Sequence, residues 1–199
     1  MESQVAMSEP RIEASVIAAC QQGDREAFRL LFETYKDRVY QIALYFFGGD
    51  EAQAADITQQ VFLKLFTRIG QFQGESEFTT WLYRLTTNAC VDESRRRRRF
   101  LQFGEGVNVR EPRDKPTHED ALARAEAADA VKRAVAALRP KLRVVMLLKY
   151  FEELSYEEIA AVVGCSKGTV ASRLNRGHKI LARKLGHLRP ALMRAEQEG

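Results

Sequence analysis

Side chains that carry covalent or metal chemistry are scarce in this chain. Three cysteines (Cys20, Cys90, Cys165) and three histidines (His118, His178, His187) are scattered over 199 residues, in no spacing that suits a metal site or a disulfide framework. A Gly-rich phosphate loop and a nucleophile motif are also lacking. Catalytic residues, a metal and a cofactor are therefore not expected. No apolar run reaches the roughly 18 residues of a membrane span, and the N-terminus has no basic-then-apolar leader pattern. These absences predict a cytoplasmic protein without membrane insertion, whose cysteines are reduced packing residues.

What is present is helical periodicity and unevenly placed positive charge. Lys and Arg number 31 against 27 Asp and Glu, a net charge of +4. The excess gathers in the arginine run 95–99 and in the stretch after Lys167. Apolar residues recur in steps of three and four through most of the chain, which predicts an all-α fold of two small helical domains. The expected divisions are an N-terminal extension with a short helix (1–24), a helical domain (25–99), a linker (100–120), a second helical domain (121–188) and a tail (189–199).

In the first domain, Asp24 caps a helix with the stripe Phe28, Leu31, Tyr35, Val39, Ile42 and Phe46, stopped by Gly48 and Gly49. A second helix, from Asp50 to Ile69, turns Ala54, Ile57, Val61 and Leu65 inward. Asp56, Gln59, Gln60, Leu63 and Phe66 project the other way. An outward Leu and Phe among amides and an acid either form a protein-binding face or lie under a neighbouring helix. The loop 70–77 carries Phe72, Gln73 and Ser76. A third helix follows from about Phe78 to Arg97, with Phe78, Leu82, Leu85 and Ala89 inside and Thr80, Arg84, Asn88 and Arg95 outside. A nucleic-acid strand could run along that outer line. Phe72 and Trp81 could stack on unpaired bases, at about 1–3 kcal/mol per base, and the alternative for Trp81 is a half-buried core aromatic.

Gly104, Gly106, Pro112 and Pro116 mark the linker. Extended at about 3.3 Å per residue it spans on the order of 60 Å, nearly two turns of DNA at about 34 Å each. Beyond it a helix over 118–138 turns Leu122, Ala125, Ala128, Val131, Val135 and Leu138 inward. Another follows Pro140, packing through Leu142, Val145, Met146 and Leu148.

The stretch LSYEEIAAVVGCSKGTVASRLNRGHKIL (154–181) reads as two helices over a tight turn. Ser155 and Glu158 form a capping box. Gly164 supplies the positive φ of the turn, and Ser166 caps the second helix. At about 100° per residue, Val170, Leu174, Gly177 and Leu181 share one side. Thr169, Ser172, Asn175, Arg176 and Lys179 lie opposite, flanked by Lys167 and Arg173. That outer face has donors, positive charge and no carboxylate. It suits a helix in the DNA major groove, with Arg and Asn on base edges and Lys, Ser and Thr on phosphate. The alternative is a solvated face on a helical hairpin.

Taken together, DITQQVFLKLF, then F-x-x-WLYRLTTNACVD-x-x-R, then the helix–turn–helix stretch resemble a bacterial sigma-70-family factor of the extracytoplasmic-function (ECF, group 4) type. The likeness spans about residues 25–98 (region 2) and 121–185 (region 4), with no separate region 3. It implies a protein that binds core RNA polymerase and directs promoter recognition, strand opening and initiation, without catalysis of its own. It also implies contacts to the β′ clamp helices through Asp56, Gln59, Gln60, Leu63 and Phe66, and to the β flap. Phe72, Gln73, Ser76, Thr80, Trp81, Arg84, Asn88 and Arg95 would capture the −10 element. Lys167, Thr169, Ser172, Arg173, Asn175, Arg176 and Lys179 would read the −35 element. Many members are held by an anti-sigma factor, which is expected here too. Ala171 and Asn175 depart from the pattern, where relatives often carry a basic and a bulkier residue, so the preferred −35 sequence does not transfer. The competing reading is a two-domain regulator that binds duplex DNA without joining polymerase.

Overall fold

A computed structural model describes residues 12–103 and 119–186. Eight α-helices make up these residues: α1 (Ala14–Gln21), α2 (Arg25–Phe46), α3 (Glu51–Arg68), α4 (Phe78–Phe103), α5 (Glu119–Ala136), α6 (Pro140–Tyr150), α7 (Tyr156–Val163) and α8 (Lys167–Leu185). A single 3-10 turn, Ile69–Gln71, follows α3. The expected frayed start, the tail 189–199 and most of the linker lie outside the described residues. So do the side chains of Leu122 and Ala125.

Local chemistry sets the helix ends. Asp24 accepts from the amides of Glu26 and Ala27 at 2.8 and 3.1 Å, and Asp50 accepts from that of Gln53 at 3.0 Å. These bonds satisfy donors that the first helical turn leaves orphaned. Within the first unit Leu31, Tyr35, Val39, Ile42 and Phe46 of α2 meet Ala54, Ile57, Val61 and Leu65 of α3, all buried, with Phe78 and Leu82 of α4 closing the core. The second unit packs α8 against α5, α6 and α7. In α5 the inward stripe is shifted from the predicted one. Ala134 and Leu138 are buried, Val131 and Val135 half-buried and Ala128 exposed, with α5 set against both α8 and α2.

The two units lie against each other, and buried side chains run continuously from one into the other. Helix α6 shows why. Every residue from Leu142 to Leu148 is buried, including Arg143. A helix apolar all round needs cover on every side; α7 and α8 supply one side, α2 and α4 of the first unit the other. Helix α4 likewise buries a second face through Tyr83 and Thr87, which its single predicted stripe omitted. In this arrangement the units do not use the separation that an extended linker would allow.

Candidate polymerase- and DNA-binding surfaces

The face of α3 predicted to be outward is open. Asp56, Gln59, Gln60, Leu63 and Phe66 are all exposed, Leu63 at 59% and Phe66 at 55%. No described helix covers them, which removes the alternative of an internal contact among the described residues. Between α2 and α3 runs a groove of about 750 Å³ whose wall adds Phe28, Phe32 and Tyr40 to Phe62, Leu63 and Phe66. Phe28 meets Phe66 edge-on at 5.0 Å, and Phe32 meets Phe62 at 4.7 Å. Edge-to-face contacts hold aromatic walls without filling the groove. The trough is apolar at its wall and carries Arg25, Lys36, Asp37 and Gln59 among its lining residues. Phe28 was assigned to the core stripe of α2 but is half-buried at the groove, and Phe32 and Tyr40 lie outside that stripe.

The residues assigned to strand capture fall into two groups. Phe72, Trp81 and Phe78 form an aromatic cluster, with ring centroids 5.5 to 6.0 Å apart, and Phe72 and Trp81 are half-buried. Each therefore anchors the core while leaving part of its ring accessible. Gln21 of α1 pins the loop by donating to the carbonyls of Ile69 and Phe72 at 3.1 and 2.7 Å. Nothing in the sequence signals a contact across so many residues. Gln73, Ser76, Arg84, Asn88 and Arg95 are exposed, and Thr80 is half-buried. Arg84 donates to the carbonyl of Ala161 in α7 at 2.7 Å, so it is engaged by the other unit.

The helix–turn–helix is built as its sequence predicts. Ser155 Oγ accepts from the Glu158 amide at 3.2 Å while the Glu158 carboxylate accepts from the Ser155 amide at 2.7 Å. These bonds hold the Glu158 carboxyl below its ordinary range. Gly164 closes α7 at φ 65°, and Ser166 caps α8 by accepting from the Thr169 amide at 3.2 Å. Val170, Leu174 and Gly177 are buried and Leu181 half-buried. Ser172, Asn175, Arg176 and Lys179 are exposed on the opposite side. Lys167 is exposed and pairs with Glu157. Thr169 shares a hydrogen bond with Ser166 at 2.9 Å, and half-buried Arg173 donates to Cys165 Sγ at 3.7 Å. Cys20 and Cys90 are buried, and burial pushes the Cys90 thiol up to about 12, so it is an inert packing group at neutral pH.

The structure splits the arginine run. Arg96 and Arg97 reach back to Glu93 at 2.7 and 3.4 Å, and Arg97 also meets Asp50 at 3.4 Å. Arg95 and Arg98 instead line a groove of about 910 Å³ together with Arg139, Lys141, Arg173, Arg176 and Lys179 of the second unit. No carboxylate is among its lining residues, although Asp92 lies 3.6 Å from Arg95. Cations from both units thus face one channel. Arg139 and Lys141 were missed because nothing local distinguishes them from solvated charges.

Comparison with known proteins agrees with this geometry. Residues 31–100 match the Sigma-70 region 2 family and residues 128–181 match the Sigma-70, region 4 family. The chain is 32% identical over 180 residues to the ECF RNA polymerase sigma factor SigW of Bacillus subtilis, covering 86% of this chain and 96% of that protein. It is 33% identical to the RNA polymerase sigma-H factor of Pseudomonas aeruginosa, covering 85% and 92%. To the ECF RNA polymerase sigma-E factor of Escherichia coli K12 it is 30% identical, covering 90% and 97%. The fold is similar to that of the sigma factor RpoE solved with the anti-sigma factor NepR from Bartonella quintana, with a TM-score of 0.65, 24% identity and coverage of 81% and 98%. Two matched regions that take in more than half of the residues, and relatives of nearly the same length, show that the chain belongs to the sigma-70 family, in its extracytoplasmic-function group.

Proposed function

We propose that the protein is a promoter-specificity subunit of bacterial RNA polymerase, acting in the cytoplasm and performing no catalysis itself. The observation that carries this reading is the exposed apolar groove of α2 and α3. A regulator that only binds duplex DNA has use for α8 but none for that groove. Leu63 and Phe66, with Asp56, Gln59 and Gln60 around them, dock on the β′ clamp helices of core polymerase, and the second unit meets the β flap.

The outer face of α8 enters the major groove at the −35 element. Arg176 and Asn175 read base edges, Ser172, Lys179 and Thr169 hold phosphate, and Lys167 and Arg173 flank them. Thr80, Arg84, Asn88 and Arg95 lie along the separated −10 strand. Phe72 and Trp81 offer ring faces to extruded bases, with Gln73 and Ser76 on the loop beside them. Strand opening then draws on binding free energy alone, without ATP. A protein of this kind is expected to have an anti-sigma partner that occludes one of these surfaces.

The test is gel filtration with purified core polymerase, then run-off transcription on a genomic library. The protein co-elutes with core, and its start sites share a pair of upstream elements. Leu63→Glu, which puts a charge in the trough without touching the core, abolishes co-elution while its helical circular dichroism is unchanged. Continued assembly of that variant would place the docking face elsewhere.

A further inference from the structure

Gln21 ends α1, a helix fixed to the first unit by its buried Ile17 and Cys20. From there the Gln21 carboxamide reaches the chain just past α3. Its single nitrogen, Nε2, donates to the carbonyls of Ile69 and Phe72 at 3.1 and 2.7 Å. Those carbonyls bracket the 3-10 turn Ile69–Gln71, whose own closing bond runs from the Phe72 amide to the Ile69 carbonyl at 3.1 Å. An amide NH2 carries two donors, so one side chain ties both ends of the turn.

Phe72 is where the turn gives way to extended backbone, at φ −74° and ψ 112°. With its carbonyl held, its peptide plane is held too, and its ring stays edge-on to Phe78 at 5.6 Å and 5.5 Å from Trp81. Beyond Phe72 the ties stop. Among the described residues no hydrogen bond reaches residues 73–76, all of them exposed, and Gly74 has φ 73°. The Gln21 contact is thus the last fixed point before the open part of the loop. A segment ordered in advance has less conformational entropy to lose on binding.

We propose that Gln21 is a positioning residue for strand capture: it holds Phe72 beside Trp81, so that the two rings form a preformed seat for an unpaired base. The proposal rests on the reading of the 70–77 loop and α4 as the strand-capturing surface. To that surface it adds a residue from α1, a helix given no contact with DNA or polymerase. Trp81 is the sole tryptophan of the chain, so its emission reports on the seat without a label.

Acrylamide quenching of the full-length protein without DNA reads the loop alone. Gln21→Ala, which removes both donors, is expected to raise the quenching of Trp81 as Phe72 leaves it. Titration with oligothymidine then reads base stacking as a loss of Trp81 emission. Gln21→Ala is expected to bind it about fivefold more weakly, the scale of a lost pair of exposed hydrogen bonds. Gln21→Glu, isosteric but without a donor at neutral pH, loses at least as much. Gln22→Glu places the same charge on the next, exposed side chain and keeps the wild-type affinity. An equal loss in Gln22→Glu would reduce the effect to charge and overturn the proposal. So would unchanged acrylamide quenching or unchanged oligothymidine affinity in Gln21→Ala. An equal loss of binding to a fluorescein-labelled duplex, which engages α8 rather than the loop, would assign the effect to general loss of structure and overturn it too. A wild type whose Trp81 emission ignores oligothymidine would instead sink the strand-capture reading, and the proposal with it.

Discussion

Single residues set where the helix–turn–helix begins and turns. Ser155 and Glu158 exchange hydrogen bonds across the first turn of α7. Ser155→Ala should lower stability by about 1 kcal/mol in urea denaturation, as the loss of an N-cap does. The pH dependence follows from Glu158, whose carboxyl is held below its ordinary 4.5, first by the hydrogen bond with the Ser155 side chain. A carboxyl with a lowered folded pKa stabilises the fold above 4.5, and that contribution is lost as the pH falls through the lowered value. The difference between the wild type and Ser155→Ala should therefore shrink in acid. A difference that grew there would assign the stabilisation to another group. Cap, partner and turn glycine were all legible in the sequence, because each acts over fewer than four residues.

At the scale of an element, α8 shows two faces with separable roles. Gly177 lies against α6, and a Cβ there would stand 2.8 Å from Met146 Sδ and 3.1 Å from Cγ. Gly177→Leu should cost about 1–3 kcal/mol through overpacking, read as a lower denaturation midpoint. Arg176→Ala, one residue away on the exposed side, should leave that midpoint in place and weaken −35 duplex binding by about 1–3 kcal/mol. Unchanged promoter affinity would remove Arg176 from the reading face. Helical periodicity was enough to place these two residues on opposite sides. It did not reveal the second buried face of α4, because Tyr83 meets Glu152 of the other unit and the residue types of Tyr83 and Thr87 suit a surface equally well.

For the whole molecule, the packing of the two units should respond to salt. The cations of the shared groove are open to solvent and are screened over about 10 Å at 0.1 M ionic strength. The contact of Glu152 with Tyr83 and Arg38 is buried and screened far less. The radius of gyration should therefore fall as salt is raised from about 0.05 to 0.5 M. A rise instead would mean that exposed ion pairs hold the units together.

What the sequence determined by itself was what depends on short-range periodicity and capping: the helices, the inward stripes of α3 and α8, the acid-free face of α8, the outward Leu63 and Phe66, and the family. What only the tertiary structure decided is how the units meet. Glu152 finds Tyr83 and Arg38, Arg143 finds the Phe46 carbonyl, and the arginine run divides between Glu93 and the groove. A charged side chain looks the same in the sequence whether it faces solvent or a partner dozens of residues away. The packing of α6 and its following turn between the two units removes water from Arg143 and Glu152 and turns them into directed contacts.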